Sequence, residues 1–405
     1  MKVLLLADDF GGATLDPAGL WLAELTRACR SHGHRLEVVC SDAGASPGRS
    51  EPWRGLVLHR ADATRVDPVI ADALAMRPDV VHVAAPGPFN ARVIESLADF
   101  PVMLELNDWW PICPQFDLLR RPGGHACDRH HPFEGCLTCS DRVRLDSMTD
   151  RGALVSCARL IVAHGESTRD RVAAALGREV VRLGYGVDTL RFSPKAVPTS
   201  MPALTALAAR PTGMRVLVLG PPTSGRGGGR LVDLLVALAA RVPGVEMVVA
   251  GLDPDDPSRD TQLRDEARSL GLDERLVLLP VVPPEELPGL MAACDVAVAP
   301  GLAPDPGGLF VMLAFACGLP VVAHPSGDIP ALCERHDGAV LTDAGDVGGF
   351  ANAVAMLLTD PGEHRRRSDA ARLAAIERHD LERVVASLEA LWERVASMPG
   401  RSEAA

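Results

Sequence analysis

The stretch DPGGLFVMLAFACGLPVVA, residues 305–323, reads as a glycine-rich loop followed by an apolar helix and a buried strand. Gly307 and Gly308 open the helix, and Gly318-Leu-Pro ends it before the strand. A loop, a helix and a strand in this order form one unit of a doubly wound α/β sheet. The amide groups at the helix N-terminus also suit an anion. The residues alone leave both interpretations open and favour the purely structural one.

Short apolar runs alternate with helical patterns on both sides of this stretch. The runs are Val3–Ala7, Leu36–Cys40, Val80–Ala84, Val102–Leu106 and Leu160–Ala163, and then Met214–Leu219, Val245–Ala250, Leu276–Leu279, Asp295–Ala299 and Pro320–Ala323. Runs so rich in Val, Leu and Ile suit strands that are buried on both faces of a parallel sheet. Two such sets predict two doubly wound α/β domains whose strands end at a common cleft.

The break between the two sets lies near residues 193–213, which contain four prolines and no strand-like run. We therefore predict an N-terminal domain over residues 1–195, a linker over 196–212 and a C-terminal domain over 213–377. Residues 378–405 are predicted as a final segment whose helix carries a single apolar stripe.

The composition is that of an ordinary globular enzyme, with 23% charged and 47% apolar residues among 405. The 41 basic and 53 acidic residues give a net charge of 41 − 53 = −12, which argues against a nucleic-acid partner or an anionic membrane surface. Each apolar run is shorter than the ~18 residues of a membrane span. The opening run ends at Asp8 and Asp9, unlike a signal peptide. We expect a cytoplasmic protein without stable membrane anchoring.

Two further glycine-rich loops follow predicted strands. In the first, Gly11 and Gly12 either let a ligand approach the backbone or form a simple flexible turn. The second, GPPTSGRGGGR at residues 220–230, has the glycine spacing of a P-loop, but Arg226 replaces the lysine and the Ser/Thr is missing. A nucleoside triphosphatase is therefore disfavoured. Arg226 and Arg230 at the start of a helix still suit a diphosphate.

Several stretches together resemble the retaining GT-B glycosyltransferases related to sucrose and glycogen synthases, the group numbered family four. The run GGLFVMLAFACGLPVVAHPSGDIPAL resembles the donor-binding signature Glu-x-Phe-Gly-Leu-x-x-x-Glu-Ala-x-Ala-Cys-Gly-x-Pro-Val-Val. FGGA at 10–13, NDWWPICP at 107–114 and YGVDTLRFSP at 185–194 resemble a Gly-Gly-Ala loop, a His-Asp-x-x-Pro-x-Cys-Pro cleft loop and an Asn-Gly-Val-Asp-x-x-x-Phe-x-Pro segment. Residues 281–300 resemble the loop and strand around the nucleotide base.

The resemblance implies a GT-B fold, in which two Rossmann-like domains face a central cleft and a C-terminal helix returns to the N-terminal domain. It also implies a nucleoside-diphosphate sugar donor, retention of configuration and no metal in the chemistry. The implied site residues are Asn107, Asp108 and Asp305 for catalysis; Gly12, Gly186, Arg226, Arg230, Val281, Val282, Gly307, Gly308, Leu309 and Leu313 for the donor; and Gly11, Trp109, Trp110 and His164 for the acceptor. One of the two tryptophans is equally suited to the core, and so is His164.

Four positions depart from the family pattern. The family's paired glutamates fall on Asp305 and Leu313, and a leucine cannot accept hydrogen bonds from the ribose hydroxyls. The cleft histidine is Asn107, the asparagine of the Asn-Gly-Val-Asp segment is Tyr185, and Pro221 replaces the arginine of the diphosphate-binding pair. These departures leave open a catalytically silent homologue that acts as a binding or scaffold partner, and also an enzyme with an unusual donor or a different set of contacts.

Four cysteines, Cys113, Cys127, Cys136 and Cys139, give the spacing C-x13-C-x8-C-x2-C inside a loop over 113–140 that is poor in large apolar residues. A closed set of four thiolates predicts a structural zinc site, which would order such a loop. The alternative is a set of reduced thiols in a mobile acceptor-binding loop.

The sequence therefore predicts an enzyme that transfers a sugar from a nucleoside-diphosphate sugar to a soluble small-molecule acceptor. In the family that the chain resembles, members that glycosylate lipids carry a basic N-terminal surface. The N-terminal half of this chain is not rich in Lys or Arg clusters, so the resemblance favours a soluble small-molecule acceptor, and we expect a role in specialised-metabolite biosynthesis. We expect no cofactor in the chemistry and a monomer or homodimer.

Overall fold

The computed structural model describes residues 1–7, 10, 17–41, 49–53, 56–61, 66–85, 91–121, 124–128, 136, 139, 142–197, 200–209, 214–220, 227–252, 258–334 and 336–399. Within these ranges, two mainly parallel sheets with flanking helices carry the fold. The predicted α/β class with two doubly wound units is confirmed.

The first sheet contains eight strands among the described residues, in the order β3-β4-β2-β1-β5-β6-β7-β8. They are β1 (Lys2–Ala7), β2 (Arg35–Ser41), β3 (Arg49–Trp53), β4 (Leu56–Ala61), β5 (Val80–Val83), β6 (Val102–Leu106), β7 (Leu160–Ala163) and β8 (Val181–Arg182). All pair in parallel except β3 with β4. The accompanying helices are α1 (Pro17–Ser31), α2 (Val66–Leu74), α3 (Ala91–Leu97), α4 (Arg142–Cys157), α5 (Glu166–Leu176) and α6 (Pro202–Ala209).

The second sheet contains six parallel strands in the order β11-β10-β9-β12-β13-β14. They are β9 (Arg215–Leu219), β10 (Glu246–Leu252), β11 (Leu276–Pro280), β12 (Val296–Ala299), β13 (Val321–Ala323) and β14 (Ala339–Leu341). The helices are α7 (Leu231–Ala239), α8 (Ser258–Ser269), α9 (Leu287–Ala292), α10 (Leu309–Ala316), α11 (Ile329–Glu334), α12 (Val347–Thr359), α13 (Pro361–Arg378) and α14 (Leu381–Ser397). None of the helices in the described ranges is both long and apolar enough to cross a bilayer.

The sequence pattern found the central strands and the edge strand β11, and it missed four other strands at or next to a sheet edge. Strands β5, β6 and β7 are buried along their whole length, which explains why nearly all of their residues are apolar. The missed strands are β3, β4 and β8, which contain polar residues, and β14, which has only three residues. The predicted linker also contains a helix, α6, whose Leu204 and Leu207 are buried.

The C-terminal helix returns to the N-terminal sheet, as the resemblance implied. Val187 exchanges backbone hydrogen bonds with His379 and Leu381, which brings the chain back across the junction. Helix α14 then packs on α1, β5 and β6. Its Trp392 is fully buried, and its ring meets the ring of His82 edge to face with 5.9 Å between the ring centroids.

The two domains are held together by buried polar contacts. Asp328, from the C-terminal domain, accepts hydrogen bonds from Ser167 N at 2.6 Å and from Thr168 Oγ1 at 2.6 Å, at the start of α5. A carboxylate at this end of a helix is favoured by the helix dipole. Trp109 Nε1 donates to Pro304 O at 2.7 Å, which forms a second tie across the cleft.

We expect Gly165→Ala to lower the free energy of unfolding by about 1–3 kcal/mol, because the new methyl group overpacks the junction. A Cβ at Gly165 lies only 1.8 Å from Cγ of Asp328. Gly152→Ala is the matched control, because a Cβ there meets nothing within 4 Å and lies inside α4. Chemical denaturation measures both variants. Equal stability of the two would show that the Asp328 contact does not constrain the junction.

Candidate functional site

A cavity of about 390 Å³ lies between the two domains. Its volume falls within the ~300–1,000 Å³ of small-molecule sites. Asn107 follows β6, Gly220 follows β9 and Pro300 follows β12, so the carboxyl ends of strands from both sheets meet here. From the N-terminal domain, the cavity is lined by Asn107, Asp108, Trp109, Phe116, Asp117 and Arg121. The cleft that the strand pattern predicted is therefore present.

The loop before α10 binds its own carboxylate. Asp305 Oδ1 accepts hydrogen bonds from Gly307 N at 3.0 Å and from Gly308 N. Gly308 has φ 72°, a conformation that glycine adopts without strain. The two backbone amides that we predicted for the donor anion thus donate to Asp305 instead. Asp305, which we predicted as catalytic, uses Oδ1 for these same hydrogen bonds.

Asn107, predicted as a catalytic residue, is held at both ends of its amide. Its Nδ2 donates to Ala84 O and to Glu105 Oε1, each at 3.1 Å. Its Oδ1 accepts a hydrogen bond from Tyr185 OH at 2.9 Å. Asn107 is 5% exposed. It therefore borders the cavity with both of its Nδ2 hydrogens engaged, while Oδ1 can accept one further hydrogen bond, and its catalytic role stays a prediction.

Glu105 is the centre of a buried polar network that the sequence analysis missed. Its Oε1 lies 2.9 Å from His164 Nε2, and its Oε2 lies 2.7 Å from His82 Nε2. Burial by itself would raise the pKa of Glu105. The charges of the two histidines and their hydrogen bonds to the carboxylate have the larger combined effect, and they hold the pKa well below its usual range. The available signal was an ionisable residue within each of two buried strands, VMLEL and VVHV.

The Tyr185 ring packs directly against Gly307. The Tyr185 ring stacks on His164 at a centroid distance of 3.5 Å, and the ring of Trp21 meets both edge-on at 5.7 Å. A Cβ at Gly307 would lie 2.7 Å from Tyr185 Cε2. The family pattern has Asn and Phe at these two positions, where this chain has Tyr and Gly. His164, predicted at the acceptor, is 1% exposed and lines a second cavity, of about 160 Å³, together with Gly307 and Asp328. Its role toward the acceptor stays a prediction.

Three of the predicted donor residues come together but leave almost no space. Gly186, Leu309 and Leu313 line a gap of about 10 Å³, whose other walls include Trp21 of α1 and Pro284. Leu313 is 4% exposed and belongs to an apolar cluster. Val282 lies in the same cluster and Val281 packs against it. The apolar packing matches the replacement of the family's glutamate by leucine.

Of the two basic residues predicted for the diphosphate, Arg230 belongs to the described residues and Arg226 does not. Arg230 Nη1 lies 3.2 Å from the position of a Cβ on Gly345, and Arg230 does not line the 390 Å³ cavity. Gly11, Gly12 and Arg226 lie outside the described residues. Their roles toward the donor and acceptor stay predictions.

The two tryptophans differ in position. Trp109 lines the cavity and uses its Nε1 on Pro304 O. Trp109 and Trp110 are each 1% exposed and both pack in the same apolar cluster of the N-terminal domain, and of the two Trp109 also borders the cavity. Asp108 lines the cavity and accepts a hydrogen bond from Trp110 N at 2.6 Å. Neither indole offers a broad exposed face to an acceptor.

The segment after Trp110 contributes cavity residues that the sequence analysis did not select. Phe116 has φ 67°, a rare conformation for a non-glycine residue. The guanidinium of Arg151 lies 4.4 Å from the centroid of its ring. Arg121 Nη2 lies 2.6 Å from Asp117 Oδ2, and both residues line the cavity. Their only sequence signal was proximity to the cysteine-rich loop.

The four cysteines are not brought to one point. Within the part of the chain that the structure describes, which includes all four, no group of three or more His, Cys, Asp or Glu side chains is placed to hold a metal. Cys113 is buried, and burial raises the pKa of its thiol, which disfavours the thiolate that zinc requires. Cys139 N donates to Cys136 O at 2.9 Å, which keeps these two residues in one turn.

The zinc site stays a prediction with a direct measurement. We expect about one zinc per chain in protein purified without chelator, held by Cys127, Cys136 and Cys139 with Cys113 or a nearby histidine. Elemental analysis of the purified chain measures this ratio, and a Cys136→Ser, Cys139→Ser double variant should lose the metal. If the wild-type protein contains no metal, the four cysteines are reduced thiols, which is the alternative given by the sequence analysis.

Comparison with known proteins agrees with this geometry. The model of the family "Glycosyl transferases group 1" matches residues 226–360. Residues 226–360 are a group 1 glycosyl transferase domain. The resemblance inferred from the sequence motifs is therefore confirmed, and this domain supplies Asp305–Gly308 and the apolar wall of the cavity.

Curated relatives match part of the chain. The GDP-mannose-dependent alpha-(1-6)-phosphatidylinositol monomannoside mannosyltransferase of Mycolicibacterium smegmatis is 34% identical over 203 residues, which cover 48% of this chain and 51% of the relative. The D-inositol 3-phosphate glycosyltransferase of the same organism is 32% identical over 130 residues, covering 31% and 29%. The chain thus spans about half the length of the first of these relatives and less of the second.

Solved structures match almost the whole chain. Sucrose-phosphate synthase from Thermosynechococcus elongatus superposes with a TM-score of 0.74 at 16% identity, covering 98% of this chain and 99% of that one. Anabaena Alr3699/HepE in complex with UDP-glucose gives 0.71 at 19% identity, covering 97% and 100%. These similarities confirm the GT-B fold of the chain.

Proposed function

We propose that the protein is a glycosyltransferase that moves a sugar from a nucleoside-diphosphate sugar to an acceptor bound in the interdomain cavity. The observation that carries this proposal is the 390 Å³ cavity where the carboxyl ends of two parallel sheets meet the Asp305–Gly308 loop of the group 1 domain. Ligands of open α/β sheets bind at such edges. The known structure of a GT-B neighbour with UDP-glucose supports a nucleotide-sugar donor.

The donor is proposed to bind along Gly186, Leu309 and Leu313, with the diphosphate toward Gly12 and Arg226. The gap of about 10 Å³ between α1 and α10 is far smaller than a ligand site. Binding at these residues therefore requires α1 to move away from α10. A hinge motion between domains of this kind occurs on the microsecond-to-millisecond timescale.

The transfer is proposed to retain the configuration of the sugar without an enzymic nucleophile or a metal. In such a reaction the protein positions the two substrates and stabilises the charge that develops on the leaving phosphate. Arg226 is the group proposed for that charge. The acceptor is proposed to be a soluble small molecule of specialised metabolism, and the site of action to be the cytoplasm. The net charge of −12 offers little attraction to an anionic bilayer.

The test is a transfer assay with GDP-mannose and UDP-glucose as donors, the two sugars suggested by the names of relatives and neighbours. Release of nucleoside diphosphate should depend on an added acceptor, and NMR of the product should show the anomeric configuration of the donor. Assays with acceptors free in solution and acceptors in vesicles separate a soluble acceptor from a lipid-linked one such as the mannosyltransferase relative uses. A product with the opposite anomeric configuration to the donor would contradict the proposed mechanism.

We expect Arg226→Ala to lower kcat/KM by about ten- to a hundredfold, because a hydrogen bond to a charged group is worth ~1.5–3 kcal/mol. The interaction should be strongest as the leaving charge develops, so the loss should appear in kcat. Arg230→Ala is the matched control, since Arg230 lies beside Gly345. A larger loss of kcat/KM in Arg230→Ala than in Arg226→Ala would assign the diphosphate to Arg230.

A second candidate, a catalytically silent binding partner, is favoured by the packing of Leu313 and by the three hydrogen bonds that the Asn107 amide makes within the protein. Thermal shift against a panel of nucleoside diphosphates separates the two. Stabilisation by one of them supports a donor site, because a ligand that binds only the native state raises the melting temperature. An unchanged melting temperature with every nucleoside diphosphate supports the role of a silent binding partner.

A further inference from the structure

Two histidines of the N-terminal domain contact two glutamates of the C-terminal helix. His32 lies in the turn between α1 and β2, and Glu382 and Glu389 lie about two turns apart on α14. The Nδ1 atom of His32 lies 2.7 Å from Glu389 Oε1, and its Nε2 atom lies 2.8 Å from Glu382 Oε2. His34 Nε2 lies 2.8 Å from the same Glu389 oxygen. The imidazole of His32 therefore bridges two carboxylates of one helix.

These contacts require a proton on each ring nitrogen of His32. An ionised carboxylate can only accept hydrogen bonds, and a neutral imidazole has one N–H and one lone pair. A neutral His32 would therefore point a lone pair at Glu382 or at Glu389. The protonated ring donates to both carboxylates, and both hydrogen bonds are then charge-assisted. The hydrogen bonds with Glu389 and Glu382 accordingly raise the pKa of His32 above its usual value of 6.5.

Other titratable and charged groups lie on each element that packs against this turn. They are Cys29 and Arg30 of α1, the Met1 amino group, His34, Arg35 and Glu37 of β2, and Glu382, Glu389 and Glu393 of α14. Burial, together with the charges of the two contacting glutamates, raises the pKa of the Cys29 thiol, which therefore stays uncharged at neutral pH. The Met1 amino group lies 3.1 Å from His34 Nδ1, which can accept as part of a neutral ring. Arg35 is paired with Glu37 at 2.9 Å.

The charged contacts lie beside the apolar contact between α14 and the N-terminal domain. Helix α14 packs on α1, and its buried residues are Leu381, Val384, Val385, Leu388, Trp392 and Val395. The ring of Trp392 meets the ring of His34 edge to face, with 5.7 Å between the centroids. Glu382 lies in the first turn of α14 and Glu389 near its middle, so His32 ties two points of the helix to the domain on which it packs.

We propose that the contacts of His32 with Glu382 and Glu389 form a proton-dependent clasp, which fastens the C-terminal helix to the N-terminal domain in acidic to neutral solution and loosens it in alkaline solution. The inference is independent of the proposed sugar transfer. A group whose pKa is raised in the folded state stabilises that state fully below the unfolded value, and this contribution is lost as the pH rises through the folded value. For His32 the contribution is complete below pH 6.5 and is lost at higher pH. The apolar residues still hold α14, so the helix opens more often and does not detach.

Hydrogen–deuterium exchange of α14 at pH 6.0 and pH 9.0, corrected for the intrinsic pH dependence of amide exchange, tests the clasp. In the full-length wild-type chain, peptides from residues 381–397 should be about three- to tenfold better protected at pH 6.0, a modest factor because solvent screens partly exposed side chains. His32→Gln should be weakly protected at both pH values. His32→Arg should be well protected at both, because its guanidinium stays charged and can donate to both carboxylates.

Glu393→Gln is the matched control, since it removes an exposed carboxylate of α14 about one turn beyond Glu389. It should keep the wild-type difference in protection between the two pH values. The Met1 amino group is present in every variant, so its own titration cancels in the comparison. The proposal is overturned if the wild type shows no such difference, or if the difference persists unchanged in His32→Gln.

NMR of the chain with ¹⁵N-labelled histidine measures the protonation of His32 directly. The signal that is missing in His32→Gln identifies this residue, and it should titrate with a midpoint above pH 6.5. A double variant, Glu382→Gln with Glu389→Gln, should lower the midpoint, because neutral amides no longer stabilise the imidazolium. A wild-type midpoint at or below pH 6.5 would contradict the protonated ring on which the clasp depends.

Discussion

Glu105→Ala is expected to lower the free energy of unfolding by about 3–5 kcal/mol, the usual cost of removing one partner from a buried charged pair. Glu105 and His82 are both 0% exposed and paired with each other. The Glu105 carboxylate also contacts His164 Nε2 and accepts a hydrogen bond from Asn107 Nδ2. The alanine leaves the two buried histidine Nε2 atoms without their carboxylate partner and removes one of the two acceptors of Asn107 Nδ2, and each such loss carries a desolvation cost. Urea denaturation followed by circular dichroism measures the change.

The pH dependence gives an independent check of the same network. The pKa of Glu105 in the folded protein lies below its ordinary value of 4.5. Its contribution to stability is therefore fully present above pH 4.5 and is lost as the pH falls below that value. Glu105→Gln should remove this part of the acid sensitivity. Glu393→Ala, on the exposed face of α14, is the control and should change stability by less than about 0.5 kcal/mol. A loss below 1 kcal/mol in Glu105→Ala would show that the network is replaceable.

Leu313→Glu is expected to lower the melting temperature and to give no gain in nucleotide affinity. Leu313 is 4% exposed, and the residual gap beside it measures about 10 Å³. A carboxylate there finds no room for a ribose and loses its hydration, which costs several kcal/mol unless the group is paired. Differential scanning calorimetry measures the stability, and titration with nucleoside diphosphates measures the affinity.

Two further variants separate charge from shape at Leu313. Leu313→Met conserves volume and should cost less than about 1.5 kcal/mol. Leu373→Glu introduces the same charge on an exposed leucine of α13, which is 54% accessible, and should leave the fold unchanged. A tenfold gain in nucleotide affinity for Leu313→Glu would correspond to ~1.4 kcal/mol. It would show that a ribose pocket persists beneath the leucine.

The fold was predictable because its signals are local and repeated. Val80–Val83 and Val102–Leu106 are buried on both faces of a sheet, so burial forces nearly every residue in them to be apolar. The glycines before α10 mark a turn that needs φ 72° at Gly308. Signals of this kind lie within a few residues of the element they specify, and they hold whatever the rest of the chain does.

The sequence by itself thus determined the α/β class, the two sheets, the glycine loop at residues 305–308 and the family of the C-terminal domain. Only the tertiary structure decided that Asp305 occupies the amides of its own loop and that Asn107 is held by Glu105 and Tyr185. Tyr185 is 78 residues from Asn107 in the chain. The physical reason is that a hydrogen bond or an excluded volume depends on which distant side chains come within about 3 Å. Nothing in the local pattern of either partner encodes that distance.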